Sequence, residues 1–175
     1  MPCETPERYR WAADLLDVRP GDHILEIGCG YGHMIGLISE RITTGYITAI
    51  DRSEAMVQAA RERNKSHIES GKAEIFHQDL LDSKLPPTTF AKVFLFNINA
   101  FWMDPVQELS EVKRVLAPSG RFFIFHQPPP EHDIEEFVER FRSNLCKNGF
   151  EILSAAVSSV EGKDMACVIS RASRQ

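Results

Sequence analysis

The residues whose types and spacing could do chemistry begin at Ile24-Leu25-Glu26-Ile27-Gly28-Cys29-Gly30-Tyr31-Gly32. The apolar run reads as a buried strand, and it passes straight into glycines at alternate positions before a helix-forming stretch. Glycine there supplies backbone freedom and lets a ligand lie directly against the main chain. The spacing is not that of the G-x-G-x-x-G fingerprint, whose helix N-terminus holds a pyrophosphate. Here the third glycine comes one place early, and His33 stands where that fingerprint would put it. Asp51 ends a second apolar run, roughly twenty residues past the loop, where a carboxylate can accept both hydroxyls of a ribose. The competing readings are a tight turn without a ligand and an Asp51 that only starts a helix; Ser53 is the better cap.

A second set comes after the later apolar runs. In an open α/β sheet, ligands sit outside the carboxyl ends of the strands, where the strand order reverses. That geometry singles out Asn97, Asn99 and Trp102 after the fourth run and His126 after the fifth. Asn99 is equally a turn-former. Trp102 could wall an apolar or planar ligand, although packing is the commoner use of such a residue. His126 titrates near neutrality and could take a proton from a hydroxyl or amine, but a lone histidine at a strand end is more often structural. No cysteine pair has the C-x-x-C spacing of a metal site, and no metal is expected.

The elements that must position these groups alternate strand and helix, which implies a mostly parallel sheet covered on both faces. The pattern predicts a first helix over Pro6 to Leu16 with Thr5 as cap, then a strand His23–Ile27 and a helix His33 to Arg41. A strand Tyr46–Ile50 comes next, with a helix capped by Ser53 that continues past Ala60. Further strands are expected at Ala73–His77 and Ala91–Phe96, then a helix from Asp104-Pro105 to about Leu116. Pro118-Ser119-Gly120 reads as the turn into a strand Arg121–Phe125. After the stiff Pro128-Pro129-Pro130 comes a helix Asp133–Lys147, stopped by Gly149. The last two runs, Phe150–Ser158 and Asp164–Ser170, are joined too tightly for a parallel crossover and must be antiparallel. The chain therefore reads as one domain over residues 1–175. A helix in residues 1–20 covers the site, and residues 21–171 form the core.

Composition bounds the function. The 175 residues are 43% hydrophobic and 26% charged, ordinary for a folded domain, and the net charge of -5 disfavours nucleic acid as main partner. Cys3, Cys29, Cys146 and Cys167 read as scattered free thiols of a reducing compartment. Without a signal layout or a bilayer-length apolar run, no membrane partner is expected and the cytoplasm is the expected location.

Glu26, Gly28, Gly30 and Gly32 match, position by position, the E/D-x-G-x-G-x-G motif of the class I S-adenosylmethionine-dependent methyltransferases, which the chain resembles from Asp22 to Ser170. The resemblance implies a doubly wound α/β fold in three αβα layers, with a seven-stranded, mostly parallel sheet whose last strand is antiparallel. It implies S-adenosylmethionine as cofactor and S-adenosylhomocysteine as product. By the same resemblance the Gly28-Cys29-Gly30-Tyr31-Gly32 loop lies against the cofactor's amino-acid part, while Glu26 organises the loop or contacts the amine. Arg52 flanks the adenine; Asp79 receives its exocyclic amine, and Leu80 touches it through backbone. Asn97 stands on the methyl-transfer side. A loop-capping Asp79 and a solvated Arg52 are the plainer readings. N-I-N at 97–99 is not the N-P-P-Y or D-P-P-Y signature of nucleic-acid or glutamine methylation.

With no large insertion to serve as a lid, the expected acceptor is a small molecule held by the first helix (Tyr9 among its residues) and the Asn97–Pro105 loop. Homodimerisation is the other way to complete the pocket. The alternatives are a macromolecular methyltransferase, a nicotinamide oxidoreductase, or a non-catalytic protein that binds the cofactor for regulation.

Overall fold

The computed structural model describes residues 5–129 and 131–173; Cys3 and Pro130 lie outside the described residues. The strands are β1 (His23–Ile27), β2 (Tyr46–Asp51), β3 (Ala73–His77), β4 (Phe90–Phe96), β5 (Leu116–His126), β6 (Phe150–Val160) and β7 (Lys163–Ala172). They form one sheet in the order β3-β2-β1-β4-β5-β7-β6. Every neighbouring pair from β3 through β5 is parallel, and β7 runs antiparallel to both β5 and β6. Strands buried on both faces need near-continuous apolar sequence, which is why β1, β2 and β4 read so clearly.

The helices are α1 (Glu7–Leu15), α2 (His33–Ser39), α3 (Glu54–Arg63), α4 (Lys65–Glu69), α5 (Val106–Val115) and α6 (Ile134–Lys147). Ile24, Phe94, Phe123 and Phe125 bury one face of the sheet against α1, α2 and α3. Leu25, Val93, Phe122 and Ile124 bury the other against α5 and α6. Three layers result.

Several boundaries differ from expectation. Pro6 rather than Thr5 occupies the α1 N-cap, with no side-chain cap bond. Asn64 departs from helical geometry (φ -106°, ψ 23°), so the third helix stops there and a short, separate α4 begins. The Pro118-Ser119-Gly120 stretch is not a turn before β5 but part of it. Leu116 pairs with Phe90 and Arg121 with Lys92, so the intervening residues bulge outward while the strand continues. Gly120 is needed there, because a Cβ would come within 2.8 Å of the Phe90 carbonyl oxygen.

At the amino ends of the strands, Lys92 of β4 is almost fully buried. Its ammonium pairs with Asp22 and donates to the Asp17 carbonyl oxygen at 3.0 Å. Lys92→Met leaves the Asp22 carboxylate buried without its cation. It is expected to cost about 3 kcal/mol, since breaking a buried pair on one side strands a charge. Chemical denaturation would show it as a lower midpoint at unchanged m-value, and a midpoint equal to that of the unsubstituted protein would contradict it.

Candidate functional site

The carboxyl ends of β1, β2 and β4 open onto a cavity of about 450 Å³, of small-molecule size. It lies beside the crevice between β1 and β4, where the strand order reverses. Its walls are the end of β1 (Ile27, Gly28), the end of β2 with its turn (Ile50, Asp51, Arg52) and the loop after β3 (Gln78 to Leu81). The segment after β4 (Asn97 to Phe101) and Glu108 of α5 close it.

The glycine loop needs its glycines for the backbone path: Gly28, Gly30 and Gly32 have φ of 73°, 51° and 73°. The N–H groups of Gly28 and Cys29 both donate to the Ile50 carbonyl, at 2.8 and 3.1 Å. The Gly30 N–H donates to Asp51 Oδ2 at 2.8 Å, and the Ser53 N–H to Asp51 Oδ1 at 2.9 Å. Asp51 thus ties the loop after β1 to the start of α3, where the Ser53 hydroxyl accepts from Met56 N–H as the cap. A carboxylate offers about four acceptor sites, so two remain for a pair of hydroxyls.

Gly32 serves packing and does not line the cavity. A side chain there would meet Asn64 Nδ2 at 2.6 Å and Ala60 at 3.0 Å. Asn64 is buried and donates to the carbonyls of Gly32 and Ala60, both at 2.9 Å. It fastens loop to helix, a role sequence reading missed because an asparagine in a helical stretch looks like any other polar residue. Cys29 is buried as a small packing residue; burial, then the charges of Glu26 and Asp51, push its thiol pKa up. The described cysteines Cys29, Cys146 and Cys167 are all free thiols.

Glu26 is 3% exposed in mid-β1, and its Oε2 is buried without a hydrogen-bond partner. Burial first, then the charge of Asp51, holds its pKa well above the usual carboxylate range. A group this costly to bury calls for a partner. Its neighbour in alternation, Ile24, packs on the α1–α2 face, so Glu26 lies behind the loop and outside the cavity lining.

Asp79 and Leu80 both line the cavity; Asp79 Oδ1 accepts the Leu81 N–H at 3.0 Å, so the loop-capping role is also present. Arg52 is exposed at the rim. Asn97 and Asn99 line the wall. Asn97 adopts φ 55°, a left-handed conformation that asparagine tolerates, and its Oδ1 accepts the Gln127 N–H at 2.8 Å.

Three residues expected on the acceptor side lie outside the cavity lining. The Trp102 ring packs on Phe137 of α6 at 5.3 Å beneath the Arg140 guanidinium and is not in the cavity lining. Tyr9 stacks on His33 at 4.9 Å and leans on Phe96 at 5.2 Å, outside that lining too. His126 is 5% exposed, lodged against Phe137 and Phe141, and its burial lowers its pKa to about 4. It follows Phe122 and Ile124 in the two-residue alternation of β5, onto the α6 face. Burial both weakens the imidazole as a base and holds it outside the cavity lining. His126→Phe is expected to leave ligand binding in the cavity, and any reaction there, within about twofold, since only a buried unsatisfied nitrogen is removed. A depressed histidine pKa gives stability that is present above 6.5 and lost as pH falls toward about 4, so the variant should lose less on acidification. A folded variant with turnover reduced tenfold or more would restore the catalytic reading.

Glu108 is a wall residue that sequence reading did not single out. An acid in the first turn of an amphipathic helix looks like an ordinary partner of the helix dipole. Among the described residues no helix is long and apolar enough to cross a membrane, and no three His, Cys, Asp or Glu are grouped to hold a metal.

Residues 24–120 match the family described as "Methyltransferase domain". YdaC of Bacillus subtilis, an uncharacterized methyltransferase, is 25% identical over 178 residues, covering 98% of this chain and 94% of its own. A SAM-dependent methyltransferase from Aquifex aeolicus superposes with a TM-score of 0.75 at 21% identity, over 93% of this chain and 88% of that one. Geranyl diphosphate C-methyltransferase from Streptomyces coelicolor, crystallised with Mg2+, geranyl diphosphate and S-adenosyl-L-homocysteine, gives 0.72 at 13% identity, over 93% and 79%.

Proposed function

Because the chain belongs to the methyltransferase-domain family and is an S-adenosylmethionine-dependent enzyme, we propose that it methylates a small-molecule acceptor held beside the β1–β4 crevice. The observation that carries this reading is the acidic cavity at that crevice, with Gly28 on its wall. Asp51, Asp79 and Glu108 stand on its wall against one cation, Arg52 at the rim, and Glu26, whose Oε2 lacks a partner, lies behind its loop. Such a field suits a cation and opposes a pyrophosphate, which argues against a nicotinamide dinucleotide.

The residues present fit the cofactor. Asp51 keeps two acceptor sites for ribose hydroxyls, Asp79 and Leu80 offer a polar and an apolar contact to a base, and Glu26 supplies the anion an amine needs. When bound, S-adenosylmethionine supplies an electrophilic methyl group on a sulfonium. The chain itself must add alignment and exclusion of water. Ile27, Ile50, Leu80, Ile98 and Phe101 make the cavity wall apolar between its carboxylates, which supports exclusion of water. The acceptor-positioning roles fall to Asn97 and Asn99 on the wall.

The test is transfer of label from methyl-labelled S-adenosylmethionine to pools of small metabolites, with S-adenosylhomocysteine formation followed in parallel. Label in a small product supports the proposal. Label only in added protein or RNA would replace it with a macromolecular acceptor. Tight cofactor binding with no turnover on any pool would favour a regulatory binder.

A further inference from the structure

Arg8 of α1 is a part-buried cation with no carboxylate partner among the described residues. The paired arginines of the surface, such as Arg41 with Asp14 and Arg171 with Glu151, do find carboxylates. Arg8 instead donates from Nη1 to Gln127 Oε1 and from Nη2 to the Tyr9 hydroxyl, both at 3.2 Å, with its guanidinium carbon 4.8 Å from the Tyr9 ring centre. Its Nε is buried with no hydrogen-bond partner. The Nε–H is therefore the unmet donor of the guanidinium, and a carboxylate gripped side-on would take it together with one Nη–H. A part-buried charge whose partners are neutral gains from a ligand anion.

Its position ties it to the site. Tyr9 stacks on His33, which begins α2 directly after the glycine loop, and His33 Nδ1 is likewise buried without a partner. Burial and the charges of Arg63 and Arg8 lower the His33 pKa, so the imidazole adds no competing cation. Gln127, which holds Arg8, is itself bonded through its N–H to Asn97 on the cavity wall. Glu26 belongs to the same α1–α2 face of the sheet, so a buried carboxyl and a guanidinium, each with one polar atom lacking a partner, occur on that face.

We propose that Arg8 receives a carboxylate beside the glycine loop, carried either by the cofactor's amino-acid tail or by an acidic acceptor. The proposal rests on S-adenosylmethionine being the cofactor, and the experiment separates the two. Calorimetry would compare S-adenosylhomocysteine with 5′-methylthioadenosine, which keeps the nucleoside and sulfur but lacks the amino-acid tail, on the unsubstituted protein, Arg8→Leu and Arg8→Lys. Absence of S-adenosylhomocysteine binding to the unsubstituted protein would sink the cofactor reading itself.

With that binding present, a loss of about tenfold or more for S-adenosylhomocysteine in Arg8→Leu, with 5′-methylthioadenosine unchanged, assigns the carboxylate to the cofactor. Unchanged affinity for both, with benzoate raising the melting midpoint of the S-adenosylhomocysteine-saturated unsubstituted protein but not of Arg8→Leu, assigns it to the acceptor. Equal weakening of both nucleosides, or no effect of Arg8→Leu in any arm, overturns the proposal. Arg8→Lys keeps the charge without the planar fork and should give a smaller, tail-specific loss. It serves as the deciding variant if circular dichroism shows Arg8→Leu misfolded.

Discussion

Asp51→Ala is expected to lower S-adenosylhomocysteine affinity by two orders of magnitude or more, about 3 kcal/mol, as two charge-assisted hydrogen bonds are lost. The geometry makes the effect larger than ribose contacts alone would. The same carboxylate holds the Gly30 N–H and the Ser53 N–H, so its removal also frees the loop against which the ligand would lie. Asp51→Asn should behave much like alanine, because an amide offers one acceptor oxygen and turns a donor toward one of the two N–H groups. Calorimetric titration paired with a melting curve separates affinity from folding. A folded Asp51→Ala protein that binds S-adenosylhomocysteine as tightly as before would remove Asp51 from the site.

The second large effect is expected at Glu26. Its folded-state pKa is raised by burial and by Asp51, so between the unfolded and folded values the folded protein holds a proton that the unfolded chain releases. Stability is therefore fully present below the unfolded value, near 4.5, and declines as pH rises through the folded value. Glu26→Gln should abolish that decline and leave the ligand-free protein more stable at neutral pH. Binding of an ammonium group demands the ionised form, so the unsubstituted protein should release protons on taking up S-adenosylhomocysteine. Calorimetry in buffers of different ionisation enthalpy would detect them. Glu26→Gln should release none and bind roughly 10- to 100-fold more weakly, as expected for a lost hydrogen bond between charged groups. Undiminished binding by the glutamine variant, with proton release intact, would show that another group meets the amine.

The parts of this architecture that obey local rules were legible in the sequence. Buried parallel strands announce themselves as apolar runs, and the Glu26–Gly32 motif and Asp51 lie at their ends. The antiparallel pair could be inferred from the brevity of Glu161-Gly162. The features that sequence could not resolve depended on which side of an element a residue falls. His126 and Trp102 are the residue types a binding site uses, yet both belong to the α6 core. Parity along β5 would have signalled this for His126, but Trp102 ends a single turn of 3-10 helix, Asn99–Trp102, too short to show a period. Asn64 bonds the distant Gly32 and Glu108 lines a cavity built mostly from other elements, which no local pattern reveals.

The Lys92–Asp22 clamp lies at the opposite rim of the sheet from the ligand-facing loops. The brace on β4 is thereby insulated from the segment beyond Phe96, and the chain is laid out for diversification. Libraries randomised at the exposed positions 99, 100, 103 and 104, sparing the buried Phe101, should yield mostly folded proteins with altered acceptor choice, countable as the soluble fraction in a screen, while changes at 22 or 92 should be purged. New specificities can be explored along one lip of the scaffold without renegotiating its foundations.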